Sequence, residues 1–420
     1  MKKITVLGGG IAGISACYHA QLLGMEAEVY EASDVIGGLV SNFEIDGFRF
    51  DNAVHLSFTK DPYVKELFSR TPFYCHKPDS YCYEDGHWLK HPVQNNLYPL
   101  PLDDKIKLIE SFIQRPDIEP THYKEWLVNQ YGHEIAERYP LAYTRKYWGL
   151  DADMLSLDWI GNRMRRAELK EVLAGALEKR NDNHYYANEM RYPKQGGYRS
   201  FINPMLESVE VRTNHKVVQI DPSASTVVFE GGKMITYEQL VSSIPLPSLV
   251  PLIKGTPECV VEAAKSLLYT RVDLVSVGFS REDVPPYLWF YIYGDEHLAA
   301  RGYSPSWKSP ENAPEGYSSL QFEIYSLSGT PLLEPERLIE NVKLSLKELG
   351  ICQQDEILFC HHKHLPFGNV IFDHGMEERR KIVRDYLDSL NIVCCGRFGE
   401  WDYLWSDQSL VSGMNAINKL

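Results

Sequence analysis

The sequence contains no run of eighteen apolar residues, so it predicts no transmembrane helix and no membrane insertion. It also lacks a basic excess, because 43 Lys and Arg stand against 57 Asp and Glu, a formal net charge of −14 at pH 7. Nucleic acids and anionic membrane surfaces bind basic faces, so we expect neither as a partner. The eight cysteines form no CxxC pair and no framework spacing. They indicate reduced thiols in a cytoplasmic protein and predict no metal site.

The chain is long, and its predicted strands and helices follow a clear order. Its 420 residues exceed what one hydrophobic core usually serves, so we expect several lobes. A strand at 3–8, a helix at 11–24 and a second strand in "EAEVYEA" form a βαβ unit. Residues 104–190 show helical spacing of apolar residues, and strands dominate from 209 to 328.

The stretch "VLGGGIAG" places Gly8, Gly10 and Gly13 between the first strand and the first helix. Glycines at this spacing allow a tight turn and a close approach of a dinucleotide pyrophosphate to the helix N-terminus. Glu31 ends the second strand, where a carboxylate can bind a ribose hydroxyl, and Gly37-Gly38 follows six residues later. This combination resembles the fingerprint of flavoproteins that bind FAD in the glutathione-reductase manner.

Near the C-terminus, "CCGRFGEWDYLWSDQSLVSGMNAI" contains a strand, a turn with Gly396 and Arg397, and a helix. It resembles the second flavin-contacting segment of the same flavoproteins. The predicted fold class is therefore α/β: a discontinuous Rossmann-like FAD domain of the glutathione-reductase type, with an inserted helical lobe and an antiparallel β-sheet lobe. The predicted division is 1–98 (FAD-binding domain, first segment), 99–190 (helical substrate lobe), 191–268 (FAD-binding domain, second segment), 269–385 (antiparallel sheet and substrate domain) and 386–420 (FAD-binding domain, C-terminal segment).

The stretch "YPLAYTRKYWG", Tyr139 to Gly149, concentrates aromatic residues and two cations, Arg145 and Lys146, with no simple helical or strand period. It resembles the Tyr-Thr-x-Lys-x-Trp-Gly segment of the UDP-galactopyranose mutases. Further segments match that family in order: "DNAVHLSF", "GHWLKHPVQNNL", "YPKQGGYRSFINPM", "RGYSPSWKSPENAPEGYSSLQFE" and "GRFGEWDY". The family is related to the amine oxidase and protoporphyrinogen oxidase group.

The resemblance implies an FAD-dependent isomerase that interconverts pyranose and furanose forms of a nucleotide-diphosphate sugar. In that family N5 of the reduced flavin attacks the anomeric carbon, and a covalent flavin–sugar adduct opens and recloses without net redox change. Such a protein supplies precursors for polysaccharide biosynthesis. NAD(P)H is a candidate reductant, and a homodimer is left open.

Site residues follow from the resemblance position by position. It implies catalytic roles for His55 and Arg301, with Arg301 binding the diphosphate and His55 near the flavin. The substrate-binding positions that it implies are Phe58, Gln94, Tyr291, Tyr403 and Asp407. Tyr143 and Trp148 are assigned to packing between lobes.

The sequence departs from the family on the phosphate side. Leu141 stands where the mutases carry a second diphosphate arginine, and His91 and Lys308 stand at tyrosine positions. One interpretation is a different nucleotide sugar, bound by a rearranged phosphate site of His91, Lys308 and either Arg145 or Arg165. The alternative is an FAD-dependent oxidoreductase of the amine oxidase or protoporphyrinogen oxidase type. A third class is a flavin-holding protein without turnover.

Overall fold

A computed structural model describes residues 3–161, 167–180, 187, 189–284 and 287–420. In chain order, the strands of these ranges are β1 (Lys3–Leu7), β2 (Glu26–Tyr30), β3 (Asn42–Ile45), β4 (Phe48–Asp51), β5 (Phe73–His76), β6 (Ser80–Glu84), β7 (His87–Lys90), β8 (Met190–Pro193), β9 (Val211–Arg212), β10 (Val217–Asp221), β11 (Thr226–Phe229), β12 (Met234–Thr236), β13 (Gln239–Ser242), β14 (Thr270–Phe279), β15 (Trp289–Ile292), β16 (Arg301–Tyr303), β17 (Ser318–Leu327), β18 (Ile357–Leu365) and β19 (Ile392–Cys394). The α-helices of these ranges are α1 (Ile11–Leu22), α2 (Pro62–Ser69), α3 (Leu102–Ile113), α4 (Tyr123–Tyr131), α5 (His133–Ala136), α6 (Ala142–Trp148), α7 (Leu169–Leu177), α8 (Asn203–Leu206), α9 (Leu246–Leu249), α10 (Glu258–Lys265), α11 (Pro305–Lys308), α12 (Pro335–Glu348), α13 (Met376–Ser389), α14 (Gly396–Gly399) and α15 (Ser406–Ile417). None of the helices in the described ranges is long and apolar enough to cross a membrane.

A five-stranded parallel sheet is built from distant parts of the chain, in the order β19-β13-β1-β2-β9. Its central strand β1 reads KITVL and is almost wholly buried, as expected for a parallel strand covered on both faces. Helix α1 is buried nearly all round, because it lies against this sheet and packs on α15. The predicted mixed α/β fold with several sheets is confirmed.

A seven-stranded sheet of order β18-β14-β17-β16-β15-β6-β7 forms the second large layer. Its ten-residue strands β14 and β17 pair antiparallel along their full length. Strands β6 and β7 also belong to it, because β6 pairs with β15 in parallel. The sequence-based division had placed these two strands in the 1–98 segment with the glycine loop.

The segment "YPLAYTRKYWG" is helical, although its sequence shows no helical period. Glu137–Leu141 forms a wide π-type turn with Pro140 inside it, and α6 follows directly until Gly149 ends the helix at φ 68°. The extra residue in the turn shifts the side chains that follow out of register with those before it. The helical period of 3.6 residues is therefore interrupted, and the aromatic side chains point in several directions.

Candidate active site

The glycine loop makes a tight connection between β1 and α1. Gly8 has φ +104°, a conformation that favours glycine, and its N–H donates to Tyr30 O at 2.8 Å. A Cβ on Gly13 would lie 2.0 Å from Gly8 O. The helix therefore approaches the loop as closely as the predicted motif requires.

The N-terminus of α1 fits an anionic group. Gly10 caps the helix without a side-chain hydrogen bond, and the first turn contains no acidic residue. A Cβ on Gly10 would meet nothing within 4 Å. The space beside Gly10 at the helix N-terminus is thus open, and a pyrophosphate such as that of FAD fits this position.

Glu31 and the Gly37-Gly38 pair lie against the same loop. The Glu31 carboxylate accepts hydrogen bonds from Gly9 N at 2.6 Å and Ser33 N at 2.9 Å. Gly37 N donates to Gly9 O at 2.8 Å, and Gly37 and Gly38 have φ values of 111° and 57°. The predicted cofactor residues of the first segment are thus brought together, and the ribose contact of Glu31 stays a prediction.

The C-terminal segment packs on the first turn of α1. Gly396 has φ +79°, and a Cβ there would lie 2.7 Å from the Ala12 Cβ. Its N–H donates to Ser412 Oγ at 2.7 Å. Arg397 Nε donates to Leu404 O at 2.7 Å. Glycine is needed at 396 for close packing, while Arg397 belongs to the wall of a neighbouring cavity.

That cavity has a volume of about 520 Å³, in the range of small-molecule sites. The predicted site residues that line it are His55, Phe58, His91, Gln94, Tyr291, Arg301, Arg397, Tyr403 and Asp407. Other aromatic residues of the wall are Tyr123, Tyr131, Tyr139, Tyr143, Tyr147, Trp148, Trp159, Trp289, Tyr293, Tyr325 and Trp405. Asn52 also lines the cavity, and its Nδ2 donates to Gly38 O at 3.1 Å. The cavity therefore adjoins the segment predicted to bind FAD.

Arg301 is held in the wall by a buried carboxylate. Its Nε donates to the Glu323 carboxylate and its Nη2 donates to Tyr325 Oη at 3.0 Å. The Glu323 side chain is fully buried, whereas 17% of the Arg301 side chain is exposed. Among the described residues, Nη1 of Arg301 donates no hydrogen bond. This nitrogen is the donor left for a ligand.

Tyrosines lie close to the guanidinium, since Nη2 bonds to Tyr325 Oη and Cζ lies 5.3 Å from the centre of the Tyr147 ring. The Tyr143 ring stacks on Tyr147 at 5.1 Å, and Tyr147 Oη lies 3.1 Å from Tyr403 Oη. Burial raises the pKa of Tyr143 well above its ordinary value, so its hydroxyl remains a hydrogen-bond donor. Tyr143 and Trp148 line the cavity in addition to packing between lobes, which the sequence-based assignment did not include.

The two cavity histidines are neutral near pH 7. Burial, with the charge of Lys308 second, lowers the pKa of His55 to about 3. Burial alone lowers the pKa of His91 to about 4. His55 Nδ1 lies 3.1 Å from Ala53 O and donates to it, because a carbonyl only accepts. His91 lines the cavity as predicted for a substrate position, but it adds no positive charge there.

Lys308 does not line the cavity, which corrects its predicted location. Its side chain is fully buried, with Nζ 3.8 Å from Asp51 Oδ2 and 3.9 Å from the centre of the Tyr303 ring. Burial lowers the pKa of Lys308 to about 8. A lysine on the short helix α11 points into the protein at this position, so its ammonium faces Asp51 instead of a ligand.

The cations of "YPLAYTRKYWG" also point elsewhere. Lys146 Nζ donates to the carbonyls of Gly294 and Ile292, the latter at 3.1 Å. Arg145 is 43% exposed and lies 3.9 Å from a Glu137 carboxylate oxygen. Leu141 is buried in the core of the helical lobe. Arg165 lies outside the described residues.

Two residues of the site were not found from the sequence: Glu323 and Tyr325. They alternate with apolar residues in β17, and Glu323 pairs with Arg301 across the ladder to β16. A glutamate between Phe322 and Ile324 in a strand was the available signal, because a buried carboxylate needs a cationic partner. The partner itself depends on strand register, which the sequence did not reveal.

A family model described as flavin containing amine oxidoreductase matches residues 11–364. The chain belongs to this family. Family membership supports FAD as the cofactor, in agreement with the open cradle at α1.

Solved structures show the same fold for this amine oxidoreductase family member. A crystal structure of reduced UDP-galactopyranose mutase is similar with a TM-score of 0.93 and 24% identity, covering 100% of this chain and 95% of the other. A putative protoporphyrinogen oxidase from Exiguobacterium sp. 255-15 is similar with a TM-score of 0.76 and 16% identity, covering 100% and 98%. The suspected UDP-galactopyranose mutase-like fold is confirmed.

Curated relatives match the family member only over short segments. The carotenoid 3,4-desaturase of Haloarcula japonica is 44% identical over 50 residues, covering 12% of this chain and 10% of that protein. The 4,4'-diaponeurosporene oxygenase of Staphylococcus haemolyticus is 38% identical over 65 residues, covering 16% and 12%. The chain thus matches about a tenth of the length of these relatives.

Proposed function

We propose that the protein is an FAD-dependent nucleotide-sugar mutase that interconverts pyranose and furanose rings and works with the reduced flavin. The observation that carries this proposal is an aromatic-rich cavity lined by both Arg301 and Tyr143, two side chains that can donate hydrogen bonds to a phosphate. A guanidinium and phenol hydroxyls suit phosphate oxygens, and aromatic faces suit a base and a sugar. The full-length fold likeness to UDP-galactopyranose mutase supports the proposal.

The cofactor position follows from the cradle at α1. The N–H groups behind Gly10 would hold the pyrophosphate of FAD, and Glu31 would bind its ribose. When bound and reduced, the flavin supplies a nucleophilic nitrogen, N5, for the anomeric carbon of the sugar. Because the cavity reaches Asn52 beside Gly38, a sugar in the cavity would lie next to this end of the cofactor site.

Arg301 and Tyr143 bind and orient the leaving diphosphate. A hydrogen bond from a charged group contributes about 1.5–3 kcal/mol. Its geometry matters as much, since a fixed phosphate fixes the direction in which the anomeric carbon is presented. Glu323 and Tyr325 hold Arg301 in place for this role.

His55 orients a sugar hydroxyl. With Nδ1 bonded to Ala53 O, its Nε2 is an acceptor. A pKa of about 3 makes this imidazole a poor base, so it positions a hydroxyl without removing its proton. Asp407, in the first turn of α15, offers a second acceptor for sugar hydroxyls from the cavity wall.

A second candidate is an FAD-dependent oxidoreductase of the amine oxidase type. It is favoured by the charge of the cavity, because Glu323 compensates Arg301, and by the fourteen Phe, Tyr and Trp residues of the wall. Such a wall also suits an apolar substrate, and the curated relatives are named as a desaturase and an oxygenase of carotenoids. The lengths matched in those relatives are too short to favour their activity over that of the mutase.

The test uses the purified protein reduced with dithionite and a panel of UDP-, dTDP- and GDP-sugars. We expect ring-form conversion of one sugar nucleotide, detected by chromatography, only with reduced flavin and without stoichiometric use of reductant. Conversion should fall in Tyr143→Phe, which lacks only the phosphate-side hydroxyl. Absence of conversion, with oxygen consumed by the oxidised protein on adding a substrate, would replace the mutase with the oxidoreductase. FAD binding with neither activity would indicate a flavin-holding protein.

A further inference from the structure

Glu323 is a buried anion directly behind the cation of the candidate phosphate site. Its side chain is fully buried, and its carboxylate accepts hydrogen bonds from Arg301 Nε, Tyr325 Oη at 2.5 Å and Val54 N at 2.6 Å. The charge of Arg301 is thus compensated before any ligand arrives. A buried carboxylate held by three donors stays in place when the cavity fills.

The other charged groups that line the cavity do not add a positive excess. In the described part of the chain, the wall contains two guanidinium groups, Arg301 and Arg397, and two carboxyl groups, Asp407 and Glu171. Arg397 Nε is occupied by Leu404 O, and His55 and His91 are neutral. With Glu323 included, two guanidinium groups stand against three carboxyl groups, so the charged groups at the described wall carry no positive excess.

How strongly the compensation of Arg301 by Glu323 weakens binding depends on the charge of the phosphate group. Each phosphorus of a nucleotide-diphosphate sugar carries one negative charge, because both phosphates are esterified or bridged. The terminal phosphate of a free nucleoside diphosphate carries close to two near neutral pH, since its second pKa is about 6. A compensated guanidinium therefore accepts the sugar nucleotide and disfavours the extra charge of the free nucleotide.

We propose that Glu323 is a specificity-determining residue that makes the cavity prefer a pyrophosphate diester over a nucleotide ending in a phosphate monoester. This inference rests on the proposed function, because it names the charge class of ligand at the same site. Glu323 would therefore do more than hold Arg301 in place. It would weaken the binding of the free nucleotide, so that this nucleotide does not block the cavity against the sugar nucleotide.

The experiment measures dissociation constants of UDP, UDP-galactose and inorganic pyrophosphate for the FAD-loaded protein at low and high salt. Wild type should bind UDP-galactose at least as tightly as UDP. Glu323→Gln should bind UDP and pyrophosphate about tenfold more tightly, with a steeper salt dependence. Glu323→Asp retains the charge and should show no such gain for UDP or pyrophosphate. Tyr325→Phe removes a donor to the same carboxylate without changing charge, so it controls for local loosening.

Arg301 provides the decisive control. In Arg301→Gln the gain caused by Glu323→Gln should vanish, because the released cation is absent. If Glu323→Gln tightens UDP binding equally in the Arg301→Gln background, the inference is overturned. It is also overturned if Glu323→Gln does not tighten UDP binding when Arg301 is present. A wild type that binds UDP tenfold more tightly than UDP-galactose would also overturn it, and needs no variant. If none of the UDP-, dTDP- and GDP-sugars of the panel binds to any form, the proposed function fails, while the pyrophosphate measurement still decides the role of Glu323.

Discussion

Two alanine substitutions in the glycine loop should separate folding from cofactor binding. Gly10→Ala places a Cβ where no protein atom lies within 4 Å, at an ordinary backbone conformation of φ −78° and ψ 174°. Gly13→Ala places a Cβ 2.0 Å from Gly8 O, which is a backbone atom that cannot rotate away. The same chemical change thus meets open space at one position and the main chain at the other.

The expected magnitudes follow from these distances. At Gly10 the gain of up to about 1 kcal/mol from a less flexible unfolded chain is offset by a poorer helix cap, so the free energy of unfolding should change little. FAD affinity should fall tenfold or more, about 1.4 kcal/mol, because the new methyl group occupies the pyrophosphate position. At Gly13 the loop and the helix must move apart by roughly 1 Å or more, which costs about 1–3 kcal/mol or more.

Thermal unfolding with and without added FAD distinguishes the two cases. Gly10→Ala should keep the wild-type Tm without FAD and show a smaller rise when FAD is added. Gly13→Ala should have a lower Tm in both conditions. A full FAD-induced rise in Gly10→Ala would mean that the pyrophosphate does not lie against Gly10. An unchanged Tm in Gly13→Ala would refute the close approach of α1 to Gly8.

Three further outcomes are expected at the cavity. Arg301→Ala should weaken sugar-nucleotide binding by about 1.5 kcal/mol or more, measured by calorimetry, and unchanged binding would remove Arg301 from the phosphate site. His55→Ala should keep the flavin absorbance per protein but lower turnover, whereas loss of flavin would give His55 a structural role. Because the pKa of His91 is about 4 in the folded protein and 6.5 when exposed, the unfolded chain binds a proton first as pH falls. The free energy of unfolding should therefore fall between pH 6.5 and pH 4, by about 1–2 kcal/mol at pH 5. In His91→Asn this free energy, measured by denaturant unfolding, should depend less steeply on pH. A slope identical to that of wild type would contradict the low pKa of His91.

The cofactor half of the protein was predictable because its signals are local. The glycines at 8, 10 and 13 are needed for contacts within one βαβ unit, so their spacing alone indicates the loop and the free helix end. Glu31 and Gly37 follow the same unit within thirty residues and lie on it. Even Gly396, far away in sequence, stands in a strand–turn–helix pattern typical of such proteins.

The substrate half was predicted less well because its charges are placed by tertiary contacts. Lys308 carries the right charge for a phosphate site, but α11 directs it toward Asp51. Lys146 stands among the aromatic residues of the cavity segment, but it donates to carbonyl groups of the chain near Ile292. A sequence contains the number of cations and not the direction in which each one points.

By itself the sequence determined the α/β class, the dinucleotide loop and nine of the positions that line the cavity, since these depend on local spacing and recognisable segments. Only the tertiary structure decided that Glu323 compensates Arg301, that His55 and His91 are neutral, and that Lys308 is absent from the cavity wall. The physical reason is that charge at a site depends on burial and on partners across a sheet. Strand register and helix orientation set both, and they arise from packing over the whole chain.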